Sequence, residues 1–225
     1  MSDTHPLDTP SQTLHGKLAD SLVRLSVALR FHAWQMAGQH GLTPTQMEIL
    51  SLLSVRGRSL QLKVIAEQTA LAAPTISDAV KVLVKKGWVS KARSPDDARA
   101  LALALTDAGK ALVAEIDGWH HFLADALTRL PEHEVTACYQ TLLKLIRTLQ
   151  GQDRIPISRM CPSCRYFVAN QYPDAAMPHF CRLVGTAMAV AHLRLDCPEH
   201  EQAESATQAI TWLNDRNRPA AMRQG

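Results

Sequence analysis

Aromatic side chains make up only 5% of the 225 residues, and no apolar run approaches the ~20 residues needed to cross a bilayer. The second shortage argues against a membrane-spanning helix. Residues 1–12 are polar, carry two prolines and lack the apolar core of a signal peptide, so a cytoplasmic protein is expected. There is no P-loop, glycine-rich dinucleotide turn, zinc-protease motif or internal repeat, and with them go the commonest nucleotide-binding, metalloprotease and solenoid classes. A formal net charge of +3 is too small for a wholly basic nucleic-acid coat, so any DNA contact must come from local clustering. In a reducing compartment the five cysteines are expected as thiols or metal ligands rather than disulfides.

What is present is an Ala- and Leu-rich chain, 46% apolar, that favours helices and can bury a good core. The stretch 60–105 organises it. Leu62, Ile65 and Ala66 predict a short helix that fades near Leu71, and a second begins after Ala73 with Pro74 in its first turn. Ile76, Val80, Leu83 and Val84 give that second helix one apolar face and leave Thr75, Ser77, Asp78, Lys81 and Lys85 on the rest. Gly87 stops it. Strands are expected over 88–91 and 100–105, and the eight residues from Ala92 to Arg99 make a turn that is rich in charge.

Helix, turn, helix and basic hairpin in this order form a winged helix-turn-helix. Its second helix fits the major groove, while the hairpin reaches the neighbouring groove or backbone. Between Lys63 and Arg99, seven Lys and Arg face four Asp and Glu. Charge alone would equally suit a solvated surface; the order of elements is what favours nucleic acid. Thr75, Ser77 and Lys81 are expected to read bases or phosphates, and Lys85, Arg93 and Arg99 to hold backbone.

Several ordered motifs carry a family resemblance over about residues 14–149. They are Leu42-Thr43-Pro44-Thr45-Gln46-Met47-Glu48-Ile49-Leu50, Ile65-Ala66-Glu67, Thr75-Ile76-Ser77, Leu83-Val84-Lys85-Lys86-Gly87-Trp88-Val89, Asp96-Asp97-Ala98-Arg99 and Leu105-Thr106-Asp107-Ala108-Gly109. Together they resemble the MarR family of bacterial transcriptional regulators. The resemblance implies a homodimer on a palindromic double-stranded operator, usually repressing, with Asp97 and Arg99 holding the wing and contacting DNA. It also implies a groove for a small-molecule effector, which no residue here identifies. One departure is Ala73-Pro74, where a serine-type cap is common.

The rest of the chain predicts a mainly α (α+β) protein. An arm over 1–13 precedes the winged-helix and dimerisation domain, 14–150, in which a helix over 14–36 carries Leu18, Leu22, Leu25, Leu29 and Trp34. Thr43, Pro44 and Gln46 predict a capped helix to about Val55. Further helices are expected over 108–129, with Leu112, Ile116, Trp119, Leu123 and Leu127 buried, and over 132–150, which with the first helix forms the dimer core. Cys138 reads as a small buried hydrophobe. Trp119-His120-His121 does not suit one metal, because neighbouring helical residues diverge by about 100°. His32, His40 and His133 read as structural or solvent-facing.

Residues 151–200 form a cysteine-rich extension, followed by a C-terminal helix and tail, 201–225. Cys161, Cys164, Cys181 and Cys197 fall in the spacing C-x2-C-x16-C-x15-C. Four thiolates can hold zinc or an iron-sulfur cluster. The single C-x-x-C, the repeated Cys-Pro and the nearby Met160, Tyr166, Phe167 and Phe180 favour the cluster, as [4Fe-4S]. Zinc is the alternative and a thiol or disulfide switch the third. His179, His192 and His200 are possible substitute ligands, and a helix over 183–195 is expected between the last two cysteines. No acid, base or nucleophile constellation suggests an enzyme, although a redox protein on a winged-helix scaffold is a competing class. The favoured expectation is a regulator whose operator affinity responds to the cysteine-held cofactor.

Overall fold

A computed structural model describes residues 13–93, 101–173 and 175–203. The expected N-terminal arm, wing tip and C-terminal helix thus fall almost wholly outside the described residues. The fold is mainly helical with two small sheets. Backbone contacts gather the chain into two compact units, Met1–Leu60 with Ile76–Asp125 and Gln61–Thr75 with Ala126–Gly225.

In the first unit, α1 (Leu14–Gln39) starts where the Thr13 hydroxyl accepts the Gly16 N–H at 3.1 Å. Its expected stripe is largely bare in the single chain, Leu18, Leu25 and Trp34 all being exposed. The capping box of α2 (Pro44–Arg56) is as the sequence predicts: Gln46 N–H donates to Thr43 Oγ1 at 3.3 Å and Thr43 N–H to Gln46 Oε1 at 3.0 Å. Next in the chain come β1 (Leu60–Gln61), α3 (Leu62–Thr69), which is counted with the second unit, and α4 (Ala73–Lys85). Ala70, at φ 56°, ends α3. In α4 the buried residues are Ile76, Val80 and Leu83, the expected face.

Gly87, at φ 76°, ends α4 in a Schellman motif, with Gly87 N–H to the Val84 carbonyl and Trp88 N–H to the Leu83 carbonyl. The chain then turns directly into β2 (Val89–Arg93), antiparallel to β3 (Leu101–Leu105) from Val89↔Leu105 to Arg93↔Leu101. The sheet order is β1-β3-β2. Thr106 caps the next helix, but the single helix expected over 108–129 is two. These are α5 (Asp107–Ile116) and α6 (His121–Leu127). Asp117 is extended and Gly118 left-handed at φ 82°, a backbone path no α-helix can follow. A Cβ on Gly118 would also strike the His121 ring. α5 packs on α2 and buries Leu112, Val113 and Ile116; α6 has no buried residue, so the expected burial of Leu127 and Leu123 is not realised there.

In the second unit, α7 (Glu132–Gly151) turns one stripe toward the cysteine-rich segment. Leu143 joins Met160, Phe167, Met188 and Leu193 in a core, with Tyr139 and Ile146 against it. One turn on, the buried Gln150 amide donates to Ser158 Oγ at 2.8 Å and the Pro156 carbonyl at 3.2 Å. Cys138 is exposed rather than buried, because it lies one position round the helix with the half-exposed Leu142 and Leu145. The helix expected over 183–195 is absent. Strands β4 (Phe167–Val168), β5 (His179–Cys181) and β6 (Thr186–Met188) form a meander, with Gly185 at φ 70° between β5 and β6 and a 3-10 turn at Val190–His192 beyond. Pairing with β5 satisfies the backbone that a helix would have satisfied internally.

Candidate nucleic-acid interface and cysteine centre

Along α4, Thr75, Lys81 and Lys85 are exposed and Ser77 is half-buried; Arg93 at the end of β2 is exposed. The 13-residue helix therefore offers hydroxyls near its start and ammonium groups further on, the arrangement a groove-reading helix needs. Lys81 Nζ sits 2.8 Å from Asp78 Oδ1 in an exposed i, i+3 pair, which a phosphate can displace at little cost. Asp97 and Arg99 lie outside the described residues. Lys86, one of the seven cations between Lys63 and Arg99, is used differently. Its Nζ donates to the Gly41 carbonyl at 2.6 Å and stands 4.7 Å from the centre of the Trp88 ring.

The four cysteines of the extension come together. Cys161, Cys164, Cys181 and Cys197 are each half-buried and line one cavity of about 430 Å³. The C-x-x-C pair is set by a 3-10 turn, Cys161–Ser163, closed by Cys164 N–H to the Cys161 carbonyl at 2.9 Å. Cys181 is fixed at the end of β5 opposite Phe167. Cys197 is held by its N–H to the Arg159 carbonyl at 2.9 Å. Burial pushes the Cys161 thiol up; the Arg194 N–H, donating to Cys161 Sγ at 3.2 Å, opposes this, while the charges of Cys197, Cys164 and Cys181 add to it. That mutual repulsion is what a bound cation relieves. Among the described residues, no group of three His, Cys, Asp or Glu is drawn close enough to hold a single metal ion.

The cavity wall is mostly apolar. Tyr166 and Phe167 line it as expected, with Met177, Leu183, Val184 and Met188, whereas Met160 belongs to the core beneath and Phe180 packs edge-on against Tyr172. Of the substitute ligands, only His192 borders the cavity, with its Nδ1 accepting the Ala189 N–H at 3.0 Å. His200 Nε2 instead lies 3.0 Å from Ser163 Oγ, and burial lowers its pKa. His179 is buried, with Nδ1 accepting the Asn170 N–H at 3.2 Å.

The comparisons bear on the winged-helix part of the chain. Residues 40–100, from the end of α1 to the wing, match the family model described as MarR family. Staphylococcus aureus MepR in its DNA-binding conformation is 23% identical, with 59% of this chain and 98% of that chain covered and a TM-score of 0.53. A MarR family protein from Bacillus stearothermophilus is 20% identical over 60% and 95%, also at 0.53. The fold is the MarR winged helix. NadR in complex with 4-hydroxyphenylacetate is 25% identical over 61% and 97%, at a TM-score of 0.51. No curated protein matches the chain. MarR family members are transcription regulators, not enzymes.

Within this MarR fold, sequence reasoning missed three things. Lys86 is committed to Gly41 and Trp88, and Gly109 is required where α5 meets the Trp88 carbonyl. Tyr139 donates from α7 to the Leu193 carbonyl at 2.7 Å. The carbonyl partners, Gly41, Trp88 and Leu193, are all distant in sequence, so no local pattern marks them; only the Lys86–Trp88 contact is local, and Gly109, three residues after the Thr106 cap, carried a hint.

Proposed function

We propose that the chain is a dimeric, sequence-specific DNA-binding transcriptional regulator of the MarR type, a repressor, whose operator affinity is set by a cysteine-held [4Fe-4S] cluster. The observation that carries the reading is the convergence of all four extension cysteines on one cavity, in a chain that also carries the MarR winged helix. Four thiols bordering one apolar-walled cavity, with a single C-x-x-C rather than the two of a zinc ribbon and with Cys-Pro repeated, support the cluster over zinc. The donor set fits the cluster: Cys161, Cys164, Cys181 and Cys197 would hold it, the Arg194 N–H would bond a ligand sulfur, and Tyr166 and Phe167 would limit water. When bound, such a cluster supplies a redox-sensitive centre. Thiol ligands and a DNA target support a cytoplasmic location for the protein.

The chain's own residues do the rest. Thr75, Ser77 and Lys81 read the major groove, Lys85, Arg93 and Arg99 hold the phosphate backbone, and Asp97 with Arg99 holds the wing against DNA. The exposed apolar stripes of α1 and α7 are the surfaces offered to a second copy, as two-fold operator recognition requires. The relatives' names support both kinds of ligand: MepR is named in a DNA-binding conformation and NadR with 4-hydroxyphenylacetate, and a small effector of this protein remains part of the reading. The state of the cysteine segment, packed on α7, changes the spacing of the two recognition helices.

The test is purification without oxygen, with iron, sulfide and zinc measured per chain. Duplexes recovered by selection from a random pool are then titrated with loaded and chelator-stripped protein. A brown dimer whose duplex affinity differs between the two states supports the reading. A colourless zinc protein, or one that selects no duplex, rejects it.

A further inference from the structure

The peptide group between Leu193 and Arg194 is held from both sides. Its carbonyl, on Leu193, accepts the hydroxyl hydrogen of Tyr139 at 2.7 Å, and its N–H, on Arg194, donates to Cys161 Sγ at 3.2 Å. A peptide group is planar, so its oxygen and its hydrogen cannot reorient independently. One rigid plate thus joins a side chain of α7 to a sulfur of the cysteine cavity. A second bond, Cys161 N–H to the Arg194 carbonyl at 3.0 Å, ties Cys161 to the next peptide group along the chain.

Resting on the reading above, we propose that Tyr139 is the positioning residue that couples the state of the cysteine centre to α7. The charge on the Cys161 sulfur governs the strength of the Arg194 N–H bond, because a bond to an ionised acceptor is roughly twice as strong as one to a neutral acceptor. Hydrogen bonds in series polarise one another, so the change reaches the carbonyl that Tyr139 grips. Several other links between α7 and the extension are different in kind. Leu143 and Ile146 make apolar contacts that do not respond to charge, and Gln150 bonds Ser158 and Pro156, which do not line the cavity. Cys138, Leu142 and Leu145 lie on the adjoining exposed face, each one position before Tyr139, Leu143 and Ile146. A shift or rotation of α7 at Tyr139 is therefore felt on the face offered to a second copy.

The full-length wild type and Tyr139→Phe are purified without oxygen, and iron and sulfide are counted. Affinity for a duplex selected by the wild-type protein from a random pool is measured for loaded and chelator-stripped forms of each. The expected result is equal iron in both proteins. The loaded-to-stripped affinity ratio of the variant moves toward one by about fivefold, the worth of one hydrogen bond. A tyrosine that merely supports folding would shift both forms alike and leave the ratio intact; that result overturns the coupling role, as does loss of iron from the variant. A wild type without iron, or with a ratio of one, overturns the cluster reading and the coupling together. An unchanged variant ratio beside a large wild-type ratio overturns the coupling alone.

Discussion

The ammonium of Lys86 is hydrogen-bonded to the carbonyl of Gly41, 45 residues earlier, at 2.6 Å; its neighbour Lys85, equally exposed, ends α4. Two adjacent lysines at the end of one helix therefore have separable tasks. Lys86→Ala removes the bond and the Trp88 contact, and is expected to lower stability by about 1 kcal/mol, read as a lower urea midpoint. Lys85→Ala is expected to leave the midpoint in place and reduce the salt slope of duplex binding by about 1. If the two variants exchange these phenotypes, the assignment of the groove-facing surface is wrong.

Gly109 follows the Thr106 cap of α5, where the Thr106 hydroxyl accepts the Gly109 N–H at 3.0 Å and itself donates to the Gly87 carbonyl at 2.6 Å. A Cβ on Gly109 would overlap the Trp88 carbonyl, and a backbone group in the joint between α4 and β2 cannot swing aside as a side chain would. Gly109→Ala should cost about 1–3 kcal/mol despite the better helix propensity of alanine, measured by chemical denaturation. Equal or higher stability would show that the helix start is looser than this packing.

What could be read in advance was what is written locally. The Thr43–Gln46 box needs two side chains three residues apart, and the apolar face of α4 needs only its period. The convergence of the four cysteines was legible because their spacing has few other uses. The break at Gly118 was not, since Leu112, Ile116, Leu123 and Leu127 keep a helical rhythm across it and the left-handed backbone leaves no mark on that rhythm. Leu183, Val184, Ala187 and Ala191 likewise imitate a helix, and pairing with β5 overrides them. Gly185 was the signal to weigh. Tyr139 was invisible because its acceptor is a backbone carbonyl 54 residues on.

His200 sits with Nε2 3.0 Å from the buried Ser163 hydroxyl, and burial holds its pKa below the ordinary 6.5. The unfolded chain therefore binds this proton more readily than the folded one. Stability contributed by the neutral imidazole is complete above pH 6.5 and is lost as pH falls below that value toward the depressed folded pKa. The full chain should show a thermal midpoint that drops between pH 7 and pH 5.5, and His200→Gln should flatten part of that drop. An identical pH profile in the variant would remove His200 as the cause.

The fifth cysteine provides the internal control for the centre. Cys138 is an exposed thiol on α7 and does not border the cavity, whereas Cys181 is fixed at the end of β5 with its backbone paired to Phe167 and lines it. Serine retains the size of the side chain but is a poor ligand where thiolate is required. Cys138→Ser should retain the wild-type iron and sulfide content and visible spectrum after purification without oxygen. Cys181→Ser should lose most of the iron, and its stripped form should match the wild-type stripped form in duplex affinity. Each of these follows from four sulfurs acting as one ligand set, and iron retained in full by Cys181→Ser would break that set.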